Sequence, residues 1–169
     1  MESRNIILIG MPGAGKSSVG VVLAKALGLN FLDPDLLIQD QEGDLLQNIL
    51  NTRGLESFLD LEGDVLASIQ CRRTVIAPGG SCVCREYAME HLRSLGPVIY
   101  LHLSLEEIQK RIFNFDSRGI ALRPGETLAD VYHYRVPLYE KYAHITVRAD
   151  GQTLSETVQA VQSALAAYR

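Results

Sequence analysis

The chain has no tryptophan and only three cysteines among its 169 residues. An odd number of cysteines argues against a framework of disulfide bonds. Cys82 and Cys84 are close together, but no second Cys or His pair follows at the spacing of a zinc site. We therefore interpret Cys71, Cys82 and Cys84 as small buried side chains rather than as bridges or metal ligands.

Long hydrophobic runs are also missing, since none approaches the roughly 20 residues of a membrane-spanning helix. Residues 1–4 lead directly into a strand-like run, which leaves no room for a signal peptide. An excess of basic charge is absent too, because 16 Lys and Arg stand against 20 Asp and Glu, a net charge of −4. We expect a cytoplasmic protein, and a monomer, with neither a membrane nor a nucleic acid as its partner.

Five apolar runs rich in Ile and Val do not alternate with polar residues, which is typical of strands in a buried parallel sheet. They are residues 6–9, 30–32, 74–77, 98–103 and 144–147. Helical patterns separate them, and no repeat or linker interrupts the chain. The sequence therefore predicts an α/β fold, a three-layer sandwich on a five-stranded parallel sheet, as one domain over residues 1–169.

Turn and capping residues mark the helices between these runs. Gly28 ends the first helix, and Asp44 is positioned to cap the second. Residues 55–71 form a longer helix. Ser104 and Thr153 each precede a Glu by three residues, which predicts capping boxes at two further helix starts.

The segment 10–17 fits the phosphate-binding pattern G-x-x-x-x-G-K-[ST]. It follows the first strand-like run and opens a helix, which is the context of a P-loop. Backbone N–H groups and the helix N-terminus would hold phosphate, Lys16 would reach the β- and γ-phosphates, and Ser17 would ligate Mg²⁺. The predicted nucleotide-binding residues are Gly13, Ala14, Gly15, Lys16, Ser17 and Ser18.

Two further segments follow strands at the edge of the sheet where ligands bind. Asp33 and Asp35 come after the second strand, and no Asp ends the third or fourth. We therefore assign Asp33 to the metal and Asp35 to orienting and deprotonating an attacking hydroxyl, although a simple turn is also credible. Gly79 and Gly80 follow the third strand, where they allow close approach of a ligand or merely form a tight turn.

Two insertions have the composition of functional segments. Residues 34–71 are too long for a simple crossover, and we expect them to form a helical substrate-binding subdomain. Residues 114–126 carry Gly119, Gly125 and charges around Arg118 and Arg123, which is typical of a mobile lid.

Four segments in this order resemble the shikimate kinase family, and the resemblance runs from Asn5 to the C-terminus. They are residues 10–18, 31–35, 79–80 and 135–139, the last similar to the family's Arg-x-Pro-Leu-Tyr signature. The resemblance implies a P-loop NTPase fold of the nucleoside-monophosphate-kinase type with strand order 2-3-1-4-5. It also implies Mg²⁺ as cofactor, ATP and ADP as ligands, and phosphorylation of a hydroxyl of shikimate.

The resemblance implies roles for individual residues at matching positions. Asp35 would bind the acceptor hydroxyls and act as base, Gly79 and Gly80 would contact the acceptor, and Arg135 would bind its carboxylate. Arg111 would stack on adenine, and Arg118 would be the lid arginine on the phosphates. The catalytic set implied is Lys16, Asp35 and Arg118.

The sequence departs from the family at the acceptor side. The family's substrate-binding arginine in the helix after the second strand is Leu59, which we take as an acceptor contact of apolar character. The third glycine after the third strand is Ser81. Arg53 could replace the missing arginine, but a solvated surface residue is the simpler interpretation.

Three alternatives remain beside shikimate kinase. A sister kinase for a different hydroxylated metabolite is compatible with Leu59. A nucleotide-binding regulatory protein without catalysis is opposed by the presence of Lys16, Ser17 and Asp35. A GTPase switch has two loose D-x-x-G matches, at residues 40–43 and 60–63, but no Asn/Thr-Lys-x-Asp motif that would read guanine.

Overall fold

The computed structural model describes residues 4–112 and 120–168. Arg118 and part of the predicted lid lie outside these ranges. The strands are β1 (Ile6–Ile9), β2 (Asn30–Leu32), β3 (Thr74–Ile76), β4 (Val98–His102) and β5 (Ile145–Arg148). They form one parallel sheet in the order β2-β3-β1-β4-β5, which confirms the predicted fold and strand order.

Helices connect these strands and cover both faces of the sheet. They are α1 (Lys16–Leu27), α2 (Pro34–Glu42), α3 (Leu46–Arg53), α4 (Leu55–Ser68), α5 (Glu86–Leu95), α6 (Leu105–Ile112), α7 (Leu128–Tyr142) and α8 (Leu154–Ala167), with a short 3₁₀ helix at Gly80–Cys84. Helices α1 and α8 pack together on one face, and α4, α5 and α7 lie on the other. This arrangement follows from right-handed connections between parallel strands.

Capping residues explain several of these boundaries. Gly28 ends α1 in the left-handed conformation, with φ of 65°. The predicted capping box of Thr153 is present at α8, and an unpredicted one at Thr127 begins α7. The prediction that Asp44 caps the second helix was wrong, because α2 and α3 both lie in this region and α3 is preceded by Leu45. Asp44 instead accepts a hydrogen bond from the Leu45 N–H.

The helical insertion has a hydrophobic cluster of its own beside the main core around the sheet. Buried side chains from α2, α3 and α4 pack there, together with Ala121 from the segment that precedes α7. The cluster comprises Ile38, Ile49, Leu50, Phe58, Leu59, Leu61, Val65 and Ala121. This packing fixes α2–α4 as a unit in front of the carboxyl ends of β2 and β3.

All three cysteines are free; Cys82 is buried, whereas Cys71 and Cys84 are only partly buried. Within residues 4–112 and 120–168, no helix combines the length and the apolar character needed to cross a membrane.

Asn5 joins three segments at the amino end of the sheet. Its buried side chain donates to the Cys71 carbonyl at 2.8 Å and to the Leu95 carbonyl at 3.5 Å. Its Oδ1 accepts from the Thr74 N–H at 3.1 Å, so the first N–H of β3 is bonded to a side chain rather than to a backbone carbonyl. Removing this side chain would leave buried backbone groups without partners.

We predict that Asn5→Ala lowers the free energy of unfolding by about 2–3 kcal/mol, because buried polar groups lose their hydrogen bonds. Asn51→Ala is the matched control, since Asn51 is exposed and should change stability by no more than about 0.5 kcal/mol. Urea denaturation of both variants measures the difference. Equal stability of the two variants would contradict the bridging role of Asn5.

Candidate active site

A cleft of about 320 Å³ lies at the carboxyl ends of the strands. The P-loop, the start of α1, α2, α4, the loop after β3 and α7 all contribute to its walls. Nine residues predicted from the sequence line it together: Gly13, Gly15, Lys16, Ser17, Ser18, Asp35, Gly79, Gly80 and Arg135. The cleft thus joins the predicted phosphate site to the predicted acceptor site.

The P-loop has the backbone shape that phosphate binding needs. Gly13 and Gly15 have φ of 80° and 88°, in the left-handed region that favours glycine. The buried Lys16 ammonium donates to the carbonyls of Gly10 and Met11 at 2.8 and 2.9 Å. An ammonium has three N–H groups, so one remains for a phosphate oxygen. Burial lowers the pKa of Lys16 to about 8, against the opposing charge of Asp35.

Asp33 has a structural role that explains the turn-like character of its sequence. Its Oδ1 accepts from the Asp35 N–H at 3.0 Å and so caps α2, with Pro34 at the first helical position. Burial raises the pKa of Asp33, and Lys16 opposes this rise. Asp33 is half-buried and does not line the cleft itself. Its cap nevertheless places Asp35 in the first turn of α2, facing the cleft.

Asp35 has an unusual environment for a carboxylate. Its Oδ1 is buried and has no hydrogen-bond partner in the described part of the chain. The same oxygen lies 3.1 Å from where a Cβ on Gly79 would be. Burial raises the pKa of Asp35 to about 6, and neighbouring Asp33 adds to the rise. Such an unpaired oxygen in a cleft is suited to accept a hydrogen bond from a ligand.

Glu62 is a second carboxyl at the same place, and it was not predicted as a site residue. It is buried in α4, and its Oε1 accepts from the Ser81 hydroxyl at 2.6 Å. Its Oε2 lies 3.1 Å from the Cβ position of Gly79, beside Asp35. Burial raises the pKa of Glu62 to about 7, while the Ser81 hydrogen bond lowers it. The available signal was a Glu one turn after Phe58 on the apolar face of α4.

The two glycines after β3 have different neighbours. A Cβ on Gly79 would enter the space between the two carboxyls, whereas a Cβ on Gly80 would lie 2.6 Å from Cδ of Pro12 in the P-loop. The Tyr139 hydroxyl donates to the Gly80 carbonyl at 2.6 Å. Tyr139 belongs to the Arg-x-Pro-Leu-Tyr segment, so part of that motif supports the loop that carries the glycines.

Arg135 reaches the cleft from α7, and its guanidinium is buried. Nη2 donates to the Ala121 carbonyl at 3.1 Å. Ala121 and Ile120 line the cleft as well, so the described part of the predicted lid segment contributes to its wall. Arg123 lies at the surface near Glu56, with Nη2 3.5 Å from the carboxylate.

Other predicted residues lie outside the cleft. Leu59 is buried in the insertion's hydrophobic cluster and lines a small gap of about 20 Å³ that it shares with Arg135. Arg111 lies behind the P-loop, with Nη1 3.4 Å from the Gly13 carbonyl. Ala14 is buried within the P-loop. Arg53 pairs with Glu42 at the protein surface and does not line the cleft.

Comparisons with known proteins relate the chain to one family. The family model described as shikimate kinase matches residues 12–166. The shikimate kinase of Paracidovorax citrulli is 35% identical over 173 residues, covering 98% of this chain and 94% of that protein. The enzyme of Vibrio parahaemolyticus is 36% identical over 156 residues, with 90% of each chain covered.

A solved structure supports the same relationship at the level of the fold. The shikimate kinase of Acinetobacter baumannii in complex with shikimate superposes with a TM-score of 0.86 at 30% identity. The match covers 97% of this chain and 93% of that chain. Because the family model spans nearly the whole chain and the relatives share its length, this protein belongs to the shikimate kinase family.

Proposed function

We propose that this protein transfers the γ-phosphate of ATP to a hydroxyl of shikimate, giving shikimate 3-phosphate. The observation that carries the proposal is a single cleft in which Lys16 and Ser17 face Asp35 and Arg135. A donor phosphate on the P-loop would lie next to an acceptor hydroxyl on Asp35. The related structure that contains shikimate supports the choice of acceptor.

On the nucleotide side, the P-loop N–H groups and Lys16 would hold the phosphates, and Arg111 would contact the base. Arg118 belongs to the proposal as the lid arginine, within a lid over residues 114–126. Phosphoryl transfer depends on positioning and on neutralising developing charge, which cations held in place at the phosphates provide.

Mg²⁺ is part of the proposal, and the oxygen ligands on this chain fit it. No group of three or more His, Cys, Asp or Glu that could hold a metal occurs within residues 4–112 and 120–168. A hydroxyl from Ser17 and a carboxylate from Asp33, completed by phosphate oxygens and water, match the usual ligands of Mg²⁺. The ion would neutralise charge on the phosphates when ATP binds.

On the acceptor side, the unpaired oxygen of Asp35 would accept a hydrogen bond from a shikimate hydroxyl and then take its proton. Arg135 would bind the carboxylate. A charge-assisted hydrogen bond contributes about 1.5–3 kcal/mol, so the arginine missing at position 59 corresponds to roughly ten- to a hundredfold in affinity. We therefore expect shikimate to bind more weakly than it would with two arginines.

A sister kinase with a different hydroxylated acceptor is the second candidate. The observation that favours it is Leu59, which is buried among apolar side chains while Arg53 is paired with Glu42. Neither position supplies a second cation for a carboxylate. The rest of the proposal is common to both candidates: a cytoplasmic, monomeric kinase of one domain, with residues 34–71 as the acceptor-binding subdomain.

Turnover with ATP and shikimate tests the function directly. Wild-type protein should form ADP only when shikimate is present. Lys16→Ala should lower kcat at least a hundredfold with unchanged thermal unfolding, because the positive charge that stabilises the phosphates in the transition state is lost. Lys25→Ala, in the same helix but exposed, is the matched control. Lys16→Ala turnover within tenfold of wild type would rule out this role, and ATP turnover that ignores shikimate would rule out the acceptor.

The two aspartates should separate by phenotype. Asp35→Asn should lower kcat by about a hundredfold or more with little change in the KM for ATP·Mg²⁺, because the base is removed. Asp33→Asn should raise the Mg²⁺ concentration needed for half-maximal rate, since an amide is a weaker ligand. Steady-state kinetics over a Mg²⁺ titration measures both, and exchanged phenotypes would reverse the assignment.

The two adjacent glycines should also separate. Gly79→Ala places a methyl group between the carboxyls of Asp35 and Glu62, so it should raise the acceptor KM about tenfold or more and leave the ATP KM unchanged. Gly80→Ala displaces Pro12 and should mainly raise the ATP KM. Kinetics with each substrate varied in turn distinguishes them. The same KM pattern in both variants would show that the glycines do not divide the cleft in this way.

A further inference from the structure

We propose that Ser81 is a positioning residue for the acceptor: its hydroxyl holds Glu62 so that the second carboxylate oxygen faces the acceptor space beside Asp35. The inference rests on the proposed kinase function and adds a determinant of acceptor recognition to it. The ligand group that it selects is a hydrogen-bond donor, such as a hydroxyl of the acceptor.

The geometry of the pair defines what Glu62 can do. Oε1 is occupied by the Ser81 hydroxyl at 2.6 Å, a short bond between two buried groups. Oε2 is the oxygen near Gly79, at 3.1 Å from its Cβ position, where the unpaired Oδ1 of Asp35 also lies. Two carboxyl oxygens from α2 and α4 therefore converge on one point of the cleft. A donor placed there could be shared by both.

The hydrogen bond from Ser81 takes the place of an ion pair, since no cation that the structure describes is paired with Glu62. Among the described residues, neither Lys nor Arg forms an ion pair with Glu62. Position 59 lies one helical turn earlier on α4, where a side chain would run alongside Glu62. That position holds leucine, and a buried carboxyl without a partner is strongly unfavourable. The hydroxyl of Ser81 supplies the hydrogen bond that keeps Glu62 ordered.

The pH dependence of Glu62 follows from its surroundings. Lys16 from α1 and Arg135 from α7 favour its charged form, whereas Asp35 from α2 and burial oppose it. Cys82 and Cys84 also face it from the 3₁₀ segment, and their raised pKa values keep both thiols neutral. The Ser81 hydrogen bond lowers the pKa of Glu62, so its removal should raise that pKa and leave less of the carboxylate charged at neutral pH. An acceptor that binds the carboxylate then binds less well.

A titration that needs no turnover tests the link. The carboxyl carbon of Glu62 is followed by NMR in the protein without nucleotide, for wild type, Ser81→Ala, Ser81→Gly and Ser81→Thr. We expect the pKa of Glu62 to rise in the Ala and Gly variants and to stay near the wild-type value in Thr, which keeps the hydroxyl. Thermal unfolding shows which variants are folded. A folded Ser81→Ala or a folded Ser81→Gly is enough for the test.

Kinetics tests the consequence for the acceptor. Ser81→Ala should raise the shikimate KM about tenfold at pH 7, with the ATP KM and kcat little changed, as expected for loss of one charge-assisted hydrogen bond. The midpoint of the acid limb of kcat/KM should move to higher pH. In a Glu62→Gln background, Ser81→Ala should cause no further loss.

An unchanged pKa of Glu62 in both hydroxyl-free variants would overturn the proposal. The proposal would also be overturned if Ser81→Ala raised the shikimate KM as much in the Glu62→Gln background as in wild type, because Ser81 would then have a structural role only. Absence of shikimate turnover by wild type would reject the proposed acceptor, whereas the NMR titration would still confirm or overturn the Ser81–Glu62 link.

Discussion

The close contact between Gly80 and Pro12 is the constraint on which the rest of the cleft depends. No side chain fits between these two loops, since a Cβ at Gly80 would lie 2.6 Å from the proline ring. The Tyr139 hydroxyl donates to the carbonyl of Gly80 and is itself fully buried in the core. The loop after β3 is therefore packed directly against the P-loop. In the proposed function, this packing sets the position of the acceptor site relative to the phosphate site, on which phosphoryl transfer depends.

A second constraint is electrostatic. Asp35 and Glu62 are carboxyls in a partly dehydrated cleft, and burial raises the pKa of both. Lys16 favours the charged form of both carboxyls and Arg135 that of Glu62. Both cations nevertheless donate to backbone carbonyls rather than directly to the carboxyls. The carboxyls thus keep free oxygens for a ligand. Asp33 contributes indirectly, because its cap on α2 sets the position of Asp35.

The sequence predicted the parts of the structure that depend on local patterns. Non-alternating apolar runs located all five strands to within a residue or so, and the P-loop followed from its spacing and context. The strand order came from the resemblance to a family, since periodicity does not specify which strands are neighbours. Asn5 was missed because its partners are 66 to 90 residues away along the chain. The capping box at Thr127 was missed because its third residue is Asp130 rather than Glu.

The acceptor side was harder to predict because its residues work in pairs across elements. Glu62 has a role only once the fold brings Ser81 and Gly79 next to it, so its position on the apolar face of α4 marks it as unusual without indicating what it does. Leu59 and Ser81 bear on the same carboxyl in the proposal. Leu59 places no cation beside the buried Glu62, and the Ser81 hydroxyl supplies it with a neutral donor. The proposed effect on the acceptor leaves the phosphate side of the cleft unaltered, because neither residue belongs to the P-loop.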